Sequence, residues 1–112
     1  IMYVSLPARG ILFHHWYGDY SASIGLMFVD EGAAKAALLL LGDDAWKVSQ
    51  KNPAMLRGSF DNVAVDAVTE KLVSFGAERD KIQSIRFSID QGEPFTVTVT
   101  GEYIPPEQLC LF

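Results

Sequence analysis

A chain of 112 residues, 49% apolar and 21% charged, holds enough hydrophobic mass for one folded domain spanning 1–112, which argues against a disordered chain. Fourteen acidic residues against nine basic ones leave a net charge of −5. With no basic cluster, that balance argues against nucleic acid and against anionic membrane surfaces as partners.

The N-terminal segment is rich in rings and poor in charge. Residues 1–29 hold Tyr3, Phe13, Trp16, Tyr17, Tyr20 and Phe28, but only Arg9 and Asp19 are formally charged. So apolar a stretch needs cover on both faces. Ile1 ahead of Met2 reads as an added residue, with Met2 as the start. Met2, Val4 and Leu6 alternate with Tyr3 and Ser5, which predicts a short strand stopped by Pro7. Residues 8–10 read as a turn. Residues 11–17 are β-branched and aromatic around His14 and His15, which predicts a second strand. Gly18 and Asp19 then turn the chain into residues 21–29. There Ala22, Ile24, Leu26 and Phe28 share one face, and Ser21, Ser23, Gly25 and Met27 the other. The pair makes a hairpin, and Gly25 inside it marks a bulge or a close backbone approach.

Asp30 and Gly42 bracket a helix over residues 31–41, and the leucines Leu38, Leu39, Leu40 and Leu41 spread over more than one side, as in a buried helix. A core strand is the rival reading, disfavoured by the alanines. Residues 43–60 allow two readings. In one, Asp43 or Asp44 caps a short helix ending before Asn52 and Pro53. In the other, Trp46 and Val48 face inward on a strand and residues 51–54 turn into a second. The helix is the slightly preferred reading. Residues 61–75 form the clearest helix, with Ala64, Val65, Val68, Leu72 and Phe75 at helical spacing, Asp61 as cap and Gly76 at the end. Residues 78–81 follow as a charged loop. The C-terminal part reads as an antiparallel hairpin wet on one face. Ile85, Phe87 and Ile89 form one strand; Phe95, Val97, Val99 and Tyr103 alternate with Thr96, Thr98, Thr100 and Glu102 on the other. Facing rules require a loop of three or five residues around Gly92, with Ile89 opposite Phe95. Pro105 and Pro106 end the strand, and the apolar tail Leu109, Cys110, Leu111, Phe112 should dock on the body or on a partner.

The expected fold class is therefore α+β: a single antiparallel sheet of four or five strands with two or three helices packed on one face, in the order β-β-α-(α)-α-β-β.

No motif fixes a reaction. Neighbours on a strand point to opposite faces, so His14 and His15 cannot chelate one ion together, and no metal or cofactor is called for. One imidazole could serve as acid or base beside Tyr17, Asp19, Tyr20 or Asp30. The plainer reading, a packed histidine next to an exposed one, carries more weight. Cys110 lies among apolar residues, where a thiol is inert. A lone cysteine forms no internal disulfide and gives no sign of an oxidising compartment. No cationic stretch precedes an apolar run near the start, and the longest purely apolar run, residues 36–41, is too short to span a bilayer. The expected location is cytoplasmic. Glycine-rich phosphate loops and a nucleophile elbow are missing from the sequence.

The favoured expectation is a small non-enzymatic protein that acts by association. A homodimer is the simplest form; an acidic module for a basic protein partner is another. The alternative is a small-molecule-binding domain, or a small enzyme, with an aromatic pocket near His14 and His15. The residues expected to serve as interface or ligand contacts are Phe13, His14, His15, Trp16, Tyr17, Asp19, Tyr20 and Met27.

Overall fold

Alternation in the strands resolves into the two faces of one sheet. The computed structural model describes residues 2–14, 22–42, 44–61, 64–82 and 94–104. In chain order the elements are β1 (Met2–His14), β2 (Ala22–Met27), α1 (Glu31–Leu41), β3 (Trp46–Val48), β4 (Met55–Phe60), α2 (Val65–Ser74), α3 (Arg79–Ile82) and β5 (Phe95–Tyr103). The five strands form one sheet in the order β3-β4-β2-β1-β5, with every pairing antiparallel. Cross-strand register places Ala8, Ile24, Leu26, Trp46, Leu56, Phe60, Phe95, Val97 and Val99 on one face. All of them belong to a single buried cluster, which Ala34, Ala37 and Leu41 of α1, Val68 and Leu72 of α2 and Ile82 of α3 complete.

The α+β class and the antiparallel sheet stand as expected. The element order does not: it runs β-β-α-β-β-α-α-β, because residues 43–60 contain two strands instead of a helix. Packing decides this. Gly58 lies directly opposite Trp46, and a Cβ there would come within 2.8 Å of both the Trp46 and Phe60 rings. Those rings meet edge-on, with centroids 5.2 Å apart. A short helix could not seat the indole in that slot. Asn52 turns the chain between the two strands. Its side-chain oxygen accepts from the Ala54 N–H at 3.0 Å, and its carbonyl accepts from the Met55 N–H at 3.0 Å.

Pro7 does not stop β1, and residues 8–10 are not a turn. One strand runs through both. In an antiparallel pair, directly opposed residues either exchange both backbone hydrogen bonds or turn both away. Thr98 sends its N–H away from β1, to the Phe75 carbonyl at 2.8 Å. Its partner Pro7 therefore faces the other way, where β2 has already ended. No ladder bond is asked of a nitrogen that has no hydrogen. Register also runs unbroken through Gly25, which pairs with Ile11 and Arg57 without a bulge.

The helix ends follow their capping residues. Asp30 accepts from the Ala33 N–H at 2.8 Å. Gly42 adopts the left-handed conformation, φ 63°, and donates to the Leu38 carbonyl. Of the four leucines only Leu41 is fully buried; Leu39 is exposed. Helix α2 starts at Val65, later than expected. Asp61 still accepts from the Ala64 N–H at 2.9 Å, but it caps the turn that leads into the helix. Where residues 78–81 read as a charged loop, Arg79–Ile82 form the single helical turn α3. The C-terminal strand occupies Phe95–Tyr103 and pairs with β1. The expected partner strand at residues 84–90, the loop around Gly92 and the tail 105–112 lie outside the described residues.

Candidate functional site

Strand β1 is 13 residues long and β2 is six, and this mismatch creates the most unusual surface of the fold. Their pairing ends at Arg9 and Met27. Phe28 then donates its N–H to the Ala54 carbonyl at 2.9 Å, and the chain leaves for α1. From residue 2 to residue 8, β1 has β5 on one side and, among the described residues, no strand on the other. Tyr3 and Ser5 share Pro7's parity, so they direct N–H and C=O outward, while Pro7 directs a C=O only. No charged side chain occurs from residue 2 to residue 8. Tyr3 is 70% exposed, and Met2 and Ile104 beside it are also large exposed apolar residues. An unpaired, uncharged edge flanked by apolar side chains is a template for another strand.

Where β2 departs, a groove of about 470 Å³ opens. Arg9 lies in register between Met27 of β2 and Thr96 of β5. These three residues line the groove together with Phe28, Phe95 and Lys81. A smaller recess of about 120 Å³ separates the end of α1 from Trp46 and α2. Across it the Lys71 ammonium donates to the Leu41 carbonyl, a cation on the negative end of α1.

The clearest electrostatic feature is a forked ion pair. Arg79 donates through both terminal nitrogens to the two carboxylate oxygens of Glu70. That hydrogen bonding holds the Glu70 carboxyl below its ordinary pKa and the Arg79 guanidinium above its own. Among the described residues, no three His, Cys, Asp or Glu side chains come together as a metal site. No helix there is long and apolar enough to cross a membrane.

The expected contact residues divide unevenly. Phe13 and His14 end β1, opposite Ser23 and Ala22; as neighbours on a strand they belong to opposite faces. Their side chains, and residues His15, Trp16, Tyr17, Asp19 and Tyr20, lie outside the described residues. Met27 lines the groove and is half-buried, with the Asn52 amide 3.5 Å from its sulfur. The open edge at Tyr3 and Ser5, and Arg9 in the groove, were missed. A mismatch in strand length was the available signal, and reading Pro7 as a stop concealed it.

No protein-family model, no curated protein and no solved structure matches this chain.

Proposed function

We propose that the protein works by association, as a homodimer joined along the free edge of β1. The observation that carries this reading is the run of backbone groups at Tyr3 and Ser5, unpaired among the described strands, in a stretch with no charge. Natural edges are usually blunted by lysine, by proline or by cover. Among the described residues only Pro7 serves that purpose, at the inner end of the stretch. A two-fold axis brings identical edges together in antiparallel fashion, and such an edge complements itself. With each Ser5 facing its counterpart, Ser5 exchanges two bonds across the axis, and the Tyr3 N–H reaches the carbonyl of the opposing proline. Met2, Tyr3 and Ile104 supply apolar flanks of the kind found in interface cores.

Light scattering coupled to gel filtration tests this directly. The chain should run at twice its 12.4 kDa mass at about 50 µM. Ser5→Pro deletes an outward donor and leaves the β5 pairing intact, as Pro7 already does, so this variant should be monomeric with a native circular dichroism spectrum. A wild-type monomer at that concentration, or an unchanged dimer in Ser5→Pro, refutes the edge as the interface.

A further inference from the structure

We infer that the groove beside Arg9 is a binding site for an organic carboxylate with an apolar body. The groove goes beyond the dimer reading: it shares Pro7 and Ala8 with the inner end of the open edge, and Arg9, Met27 and Thr96 lie past that end.

Its volume, about 470 Å³, falls within the usual range for small-molecule sites, roughly 300–1,000 Å³. Among the described residues its charged lining is Arg9, Lys81 and Glu78. Lys81 is engaged with Glu78 at 3.4 Å. Arg9 has no ion pair among the described residues, so the rim keeps one uncompensated positive charge inside a chain of net charge −5. That favours a monoanion; a dianion would also meet Glu78. Arginine's planar fork fits a carboxylate through two parallel hydrogen bonds, and Thr96 stands beside it in register with a hydroxyl to add. The rest of the lining suits an apolar body. Met27 flanks Arg9 on the other side, Pro7 and Pro94 line the groove as well, and Val29 lies open, 81% exposed. Methionine, proline and valine side chains around a cation make an amphipathic site, not a simple anion hole.

Three eight-carbon probes separate the contributions: octanoate, octanol and octylammonium, each titrated into the ¹⁵N-labelled full chain. Octanoate should give saturable shifts at Arg9, Met27 and Thr96, and should bind more tightly than octanol, with octylammonium weakest. Arg9→Gln should weaken octanoate about tenfold and leave octanol unchanged. Lys81→Gln, which frees Glu78, should also weaken octanoate. Arg9 is exposed, and native spectra of both variants show whether they remain folded. Equal affinity for octanoate and octanol overturns the assignment. So does octanoate binding that is indifferent to both substitutions, and so does the lack of any saturable shift up to about 10 mM. Repeating the titration on Ser5→Pro separates the two readings, because the groove should bind octanoate whether or not the chain dimerises.

Discussion

At the scale of single residues, absent side chains matter as much as present ones. Gly10 faces Phe95 across β1 and β5, and a Cβ at residue 10 would collide with the Phe95 ring. Phe95 is buried and ringed by core residues, so it has nowhere to retreat. Gly10→Ala should therefore destabilise the fold by about 2–3 kcal/mol through overpacking. Gly32→Ala is the control. It lies in the first turn of α1 with its nearest neighbour at 3.5 Å, so it should be neutral or gain up to about 1 kcal/mol from helix propensity. Urea unfolding of both variants checks the contrast; equal effects would mean that Phe95 does not rest on the Gly10 backbone. A sequence reader sees Gly10 as part of a turn, because glycine marks turns far more often than it marks a ring packed on a bare strand.

At the scale of elements, α1 was legible to the residue, since Asp30 and Gly42 announce its ends and both caps are local. The turn α3 was not. Four residues carry no periodicity, and what holds this turn is distant: Ile82 in the core and Arg79 on Glu70. The Glu70 pair yields a pH prediction. A carboxyl whose folded pKa is depressed stabilises the fold above its unfolded value, and the benefit is lost as pH falls through the folded one. For Glu70 that loss begins near the ordinary value of 4.5 and finishes at lower pH. Arg79, held above its already high ordinary pKa, stays charged throughout. Both groups are exposed, so solvent screening keeps the effect small and local. Glu70→Gln should speed amide exchange in α3 at neutral pH with little change in the global unfolding midpoint. The difference from wild type should shrink below pH 4.5. Identical exchange at neutral pH would show that the pair does not order the turn.

At the scale of the whole molecule, shape and charge act against each other. The principal extents are 49 × 25 × 24 Å, and β1 and β5 run on together past the end of β2. Two copies that join through the uncharged edge each bring a net charge of −5, so their bodies repel while the edge attracts. Salt screens the first and leaves the second. Self-association should therefore strengthen between about 50 and 500 mM NaCl, as measured by sedimentation equilibrium. A basic protein partner would behave in the opposite way, losing affinity as salt rises. Dimerisation that weakens with salt would place the contact on charged surfaces instead of on the edge.

The alternation within each strand, the caps of α1 and the acidic balance were determined by the sequence alone, because each is a local property of a few neighbouring side chains. Tertiary structure alone decided that Trp46–Val48 and Met55–Phe60 are strands, that Pro7 sits inside a strand, and that an edge and a groove open where β2 stops. A tryptophan needs a slot that only another strand's glycine supplies. A proline is tolerated wherever a neighbouring strand has run out, and that depends on lengths and pairings far apart in the chain.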